Sequence, residues 1–187
     1  MKVIQLYKSE SKLIARAAQH NREAQERLYE THSPKMLSVC RMYIKDLHHA
    51  EDVMLKGFFK VFTHIKDFKS EGSFEGWVRK IMIRESISFL RSQKQLEFKD
   101  DFKDSEIGFS NEVYSEMEAS DIQRLIDELP EGYRLVFVMY AIEGYKHSEI
   151  AKMLKISEGT SKSQLFKARK MLQERLKEQN KSGYGTT

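Results

Sequence analysis

HSEIAKMLKISEGTSKSQLFKARK, residues 147–170, decides how the rest of the chain is read. Ile150, Ala151 and Leu154 recur at helical spacing and make the inner side of a short helix, with small Ala151 letting a second helix cross closely. Lys155-Ile156 makes the turn, and Ile156 plugs the gap between the helices. Ser157 is placed to cap the next helix, with Glu158 in its first turn near the positive end of the helix dipole. That second helix separates its faces. Ser161, Leu165, Ala168, Leu172 and Leu176 line one side, Ser163, Phe166, Lys167 and Lys170 point outward, and Lys162 and Arg169 lie on the flanks. The layout is a helix-turn-helix. An outward aromatic among cations suits apolar contact with a thymine methyl in a major groove, where lysines reach guanine or phosphate. A lysine-rich surface helix would show the same charges without the short helix, turn and cap before it. The turn asks Lys155 for a left-handed conformation that glycine adopts freely, at a strain on the order of 1 kcal/mol.

Working upstream, helical pattern begins at Ser120, breaks at Pro130 and resumes through YRLVFVMYAI until Gly144. Residues 94–118 lack periodicity. From Glu97 to Asp121 nine acidic residues stand against Lys99 and Lys103, a local charge of −7 in a chain of net charge +4, which leaves +11 elsewhere. The chain therefore divides into a basic body over 1–93, a flexible acidic linker over 94–118, a second basic body over 119–180 and a frayed tail over 181–187. Two basic bodies on an acidic strap is a charge layout suited to nucleic acid. A solvated acidic loop between ordinary domains is the plainer alternative.

The first body is helical throughout. Leu13, Ile14 and Ala17 open one helix, and Asn21 caps a second carrying Ala24, Leu28 and Tyr29. Ser33-Pro34 puts a proline in the first turn of a third, with Leu37, Cys40, Arg41 and Ile44. AEDVMLKGFFKVF, residues 50–62, makes a fourth that ends near Ile65. Its core stripe is Ala50, Val53, Gly57, Phe58 and Val61. Leu55 and Phe59 point nearly the other way, with Phe62 on the flank and Asp52 and Lys56 beside them, so a face that is normally polar is partly apolar. After the turn-rich DFKSEGS, residues 67–73, a fifth helix runs from Phe74 to about Arg91. Phe74, Val78, Ile81, Met82 and Phe89 form its core stripe, while Trp77, Lys80, Arg84, Ser88 and Arg91 share another face. Bases stack on aromatics while Arg and Lys hold the backbone, so this face fits melted or single-stranded nucleic acid. The competing reading puts Trp77 in the core and leaves the cations to solvate an outer face.

The fold class is all-α, with two small helical domains. The 187 residues hold only 2 prolines and 9 glycines, which favours helices. The one cysteine, Cys40, forms no internal disulfide or paired-cysteine metal clip and reads as a small buried hydrophobe, with a reactive thiol as the lesser reading. No signal peptide and no apolar run near the ~20 residues of a membrane span is found, so a cytoplasmic setting is expected. No catalytic constellation, cofactor motif or metal set is found. Adjacent His48 and His49 diverge on a helix, and Asp100-Asp101 falls in the linker.

Taken together, ERLYETHSPKMLSVCRMYIKDLHHAEDV, GFFKVFTHIKDFKSEGSFEGWVRKI and LIDELPEGYRLVFVMYAIEGYKHSEIAKMLKISEGTSKSQLFKARKML resemble the bacterial RNA polymerase sigma factors of the extracytoplasmic-function (ECF) group. The resemblance implies a protein without enzymatic chemistry that gives core RNA polymerase promoter specificity and strand separation. It implies that Asp52, Leu55, Lys56, Phe59 and Phe62 dock on the clamp helices of the largest polymerase subunit. The loop 67–73 would capture a flipped base, and Trp77, Lys80, Arg84 and Ser88 would contact the −10 element. Lys162, Ser163, Phe166 and Lys167 would read the −35 element, with Thr160 and Arg169 near its backbone. Further implied partners are the flap of the second-largest subunit and a membrane-bound anti-sigma factor, and the linker would thread toward the RNA exit path. Relatives usually carry Gln and an acidic residue at Leu55-Lys56, glycine at Lys155 and an apolar residue at Ser161. Two other functions remain open from sequence. A helix-turn-helix regulator binding duplex DNA by itself would explain the second body only, and a helical protein-interaction module would bind no DNA.

Overall fold

The computed structural model describes residues 2–93 and 119–183, and every described element is helical. The chain forms two compact units, Met1–Ser92 and Gln93–Thr187. The segment read as an acidic linker, 94–118, lies outside the described residues.

The first unit comprises α1 (Lys2–Ala17), α2 (Arg22–Tyr43), α3 (Leu47–Thr63), a single 3₁₀ turn (Ile65–Asp67) and α4 (Phe74–Ser92). Asn21 caps α2 as its position suggests, its side-chain oxygen accepting the Ala24 amide at 2.9 Å. Asp46 does the same for α3, accepting the His49 amide at 2.8 Å, and that bond holds its carboxyl below the usual carboxylate range. One expectation fails here. Ser33-Pro34 does not open a new helix, because α2 runs unbroken through Pro34. Proline lacks the amide that would bond one turn back, so a single backbone bond is lost. Packing overrides that loss, since buried Leu28, His32, Met36, Val39 and Cys40 continue one face across the proline.

α2, α3 and α4 pack on one another, and α1 lies against α2. Buried His32 ties α1 to α2, its Nε2 lying 3.1 Å from Glu10 Oε1, with its ring edge-on to Phe74 at 5.4 Å. Cys40 is fully buried, and burial pushes its thiol up to about 11, which fits the unreactive reading. The stripe Ala50, Val53, Gly57, Phe58 and Val61 is buried as expected. At Gly57 a Cβ would collide with the Met82 thioether, so glycine is what lets α3 and α4 approach. The core face of α4 is rotated from the expected one. Ile83, Ser86, Ile87 and Leu90 are buried, whereas Ile81 and Phe89 are only half-buried. Ser86 supplies the reason, because its hydroxyl donates to the Met82 carbonyl at 2.9 Å and so enters the core satisfied.

The second unit comprises α5 (Ala119–Asp127), α6 (Glu131–Phe137), a π-helical turn (Val138–Ile142), α7 (His147–Leu154) and α8 (Glu158–Gly183). Pro130 separates α5 from α6, and Gly144, at φ +75°, ends the π turn. Buried Arg134 meets Glu131 at 2.7 Å and Asp127 at 3.8 Å, pinning α5 to α6. Arg175 pairs with Glu128 and ties α8 to the end of α5. Because α8 continues to Gly183, the first residues of the expected tail, 181–183, are helical.

Candidate nucleic-acid and polymerase interfaces

On α3 the second apolar face is real. Phe58 is 3% exposed while its neighbour Phe59 is 73% exposed, and Leu55 is 52% exposed. Asp52 and Lys56 are exposed beside them, and half-buried Phe62 stacks on Phe58 at 6.0 Å. Lys60 reaches Glu85 of α4 at 2.6 Å, which anchors the helix below this strip. The strip is a contiguous apolar surface on a helix already held on its opposite side.

The fifth expected helix, α4, presents Lys80, Arg84 and Ser88 on one exposed line. Trp77 combines both readings offered for it, being half-buried. Its ring centroid lies 5.6 Å from Phe68 and 5.8 Å from Phe74, and those two rings stand 5.3 Å apart. Phe68 is the residue missed in the sequence, where it was only part of a polar loop. Its aromatic neighbours lie six and nine positions on, and no single-helix period relates them. An open depression lies against this cluster, lined by Phe68, Lys69, Gly72, Gly76, Trp77 and Lys80 together with Asp67, Glu71 and Ser73. Ser70 and Gly72, in the loop that lines it, take positive φ of 59° and 137°. The Ser73 hydroxyl accepts the Gly76 amide at 3.0 Å and fixes where the loop enters α4.

In the second unit, α7 and α8 form the helix-turn-helix. Ile150, Ala151 and Leu154 are buried, Lys155 sits in the left-handed region at φ 57°, and the Ser157 hydroxyl accepts the Thr160 amide at 2.9 Å. Lys162 is exposed, and Ser163, Phe166, Lys167 and Arg169 are half-buried. Thr160 is set deeper than these. It is 3% exposed and its hydroxyl lies 2.7 Å from that of Ser157, so its side chain is part of the cap. Gln164, at 1% exposed, joins the core face, whereas Leu172 and Leu176 are half-buried.

Two cations of α8 lean on aromatics of the preceding segment. Lys167 lies over Tyr133 at 6.0 Å and Arg169 over Tyr140 at 5.6 Å. Tyr140 also stacks on His147 at 4.6 Å, and His147 Nδ1 lies 2.9 Å from the hydroxyl of fully buried Ser161. The polar residue at 161 thus has a partner that its position in the sequence did not reveal. Burial chiefly, then the charge of Lys162, holds His147 below the usual histidine value, with Glu158 opposing and Arg169 adding to the depression.

Among the described residues no helix is long and apolar enough to cross a membrane, and no group of three or more His, Cys, Asp or Glu is placed to hold a metal.

Comparison with known proteins places both units. Residues 28–95 match the family model of sigma-70 region 2, and residues 119–172 that of sigma-70 region 4. The chain is 24% identical to the RNA polymerase sigma factor SigV of Bacillus subtilis over 151 residues, covering 81% of this chain and 90% of that protein. It is 24% identical to the ECF RNA polymerase sigma factor SigW of the same organism, covering 89% of this chain and 96% of that one. The solved sigma factor RpoE of Bartonella quintana, in complex with the anti-sigma factor NepR, shares the fold with a TM-score of 0.53 at 19% identity, covering 81% of this chain and 96% of its own. The chain belongs to the sigma-70 family as an RNA polymerase sigma factor of the extracytoplasmic-function group.

Proposed function

We propose that the protein binds core RNA polymerase through the α3 strip, reads the −35 element with α8, and reads and opens the −10 element with α4 and the loop before it. The observation that carries this reading is the exposure of Phe59 and Leu55 on a helix whose other face is already buried. A duplex-binding regulator has no use for that strip. Burying an exposed side chain of this kind contributes roughly 1.5–3 kcal/mol, enough to make docking depend on it. Clamp helices of the largest subunit are the proposed partner of Asp52, Leu55, Lys56, Phe59 and Phe62, and the flap of the second-largest subunit that of the second unit.

Lys80 and Arg84 supply cations along α4, and Trp77 with Phe68 supplies an aromatic wall for an unstacked base. Lys162, Ser163, Phe166 and Lys167 face the major groove, with Lys162 at its edge on the flank it shares with Arg169, which lies nearer the backbone. The work is binding and strand separation, with no covalent step, in a cytoplasmic setting. Complex formation with an anti-sigma factor, seen in the solved Bartonella complex, is proposed for this chain as the means of holding it inactive.

The two DNA sites are tested together in open complexes. Lys167→Ala is expected to change the preferred −35 sequence, and Arg84→Ala to lower permanganate reactivity of thymines in the −10 region. Unchanged preference and unchanged reactivity would show that these residues are wrongly assigned.

A further inference from the structure

We infer that His147, Lys162 and Arg169 form a phosphate-holding corner beside the recognition helix, where the imidazole takes up a proton as a DNA backbone phosphate docks, so that duplex binding tightens as pH falls. The inference rests on α8 being a duplex-binding helix and adds His147 to that site.

Three elements lock the ring. His147 opens α7, stacks on Tyr140 of the π turn at 4.6 Å and an interplanar angle of 22°, and meets Ser161 of α8 at 2.9 Å. At ~100° per residue, Lys162 and Arg169 fall on the same flank of α8, on the opposite side of Phe166 from Lys167. Arg169 lies over the same Tyr140 ring that carries the imidazole. The charged groups facing His147 are Lys162, Glu158 and Arg169, all from α8, with Tyr140 covering the ring from the π turn. Two cations and one carboxylate leave the corner positive before the imidazole is counted.

In the free protein, burial and Lys162 favour the neutral ring. A phosphate seated between Lys162 and Arg169 reverses that balance by bringing an anion to the same place. Ser161 makes both states acceptable inside the unit. Its hydroxyl can donate to Nδ1 of the neutral ring, or accept from Nδ1–H of the imidazolium, and in either state Nε2 is left for an acceptor from outside. An apolar side chain at this position could do neither. Tighter proton binding in the complex than in the free protein requires, by linkage, that affinity rise as pH falls. The slope is at most about tenfold per pH unit, between the ring's two pKa values.

The test uses full-length protein assembled with core polymerase and a fluorescent duplex carrying the −35 sequence that this holoenzyme selects from a random pool. Kd is measured at fixed ionic strength between about pH 6 and about pH 8, spanning the histidine range. The unaltered holoenzyme is expected to bind roughly three- to tenfold more tightly at the acid end than His147→Gln does, relative to their affinities at the alkaline end. His147→Phe keeps an aromatic ring against Tyr140 while losing the Ser161 partner, and is expected to show the same loss of slope. Equal slopes for all three proteins would overturn the inference while leaving duplex binding intact. If the unaltered holoenzyme selects no duplex at any pH, the −35 reading and the corner fall together.

Discussion

Two residues decide local geometry against their own type's preference. Lys155 holds φ 57°, where an L-residue is strained by roughly 1–2 kcal/mol. Lys155→Gly removes that strain and gives back part of the gain through the freer unfolded chain. The second unit should therefore gain up to about 1 kcal/mol, seen as a rise of several degrees in its calorimetric transition. Gly57 is the converse case. Alanine there would gain about 1 kcal/mol of helix propensity but would press on the thioether of Met82, which is fully buried and must repack. Gly57→Ala should lower the first unit's stability by about 1 kcal/mol net, as a shift in denaturant midpoint followed by Trp77, the one tryptophan in the chain. The strain at Lys155 was legible in the sequence because the turn's spacing demanded it. The partner of Ser161 was not, because His147 lies fourteen positions away and no periodicity links a residue opening α7 to one inside α8.

At the scale of elements, periodicity located every helix of the first unit but miscounted them. Pro34 reads as a helix start and instead sits within α2, because a continuous buried face outweighs one missing backbone bond. The stripe on α3 and its exposed counterpart were both legible, since one helix with two apolar arcs leaves no other arrangement. On α4 the buried Ser86 shifted the core face by a residue, a change invisible where polarity alone decides what is inside. The α3 strip carries the next prediction. Phe59 is 73% exposed, so Phe59→Ser should leave the melting temperature within a degree or two. The same change should weaken binding to core polymerase about tenfold, the effect of losing roughly 1.4 kcal/mol of docking. Titration of labelled protein with core would read this, and equal affinity would move the docking surface elsewhere.

At the scale of the molecule, the division of labour follows from charge and from two separate units. Each unit carries aromatic and cationic side chains that remain exposed or only half-buried, Trp77 with Lys80 and Arg84 in one, Phe166 with Lys162 and Lys167 in the other. One helix-turn-helix would serve many regulators, and the second face together with the α3 strip is what favours the proposed role as a polymerase subunit. The acidic run at 94–118 contributed to that reading from sequence and lies outside the described residues. The measurement that bears most directly on the account is run-off transcription by purified core polymerase, with and without this protein, on promoters from its own genome. The account predicts transcripts with new, discrete start sites only when the protein is present, reduced by Phe59→Ser. No stable complex with core and no new start sites would contradict it.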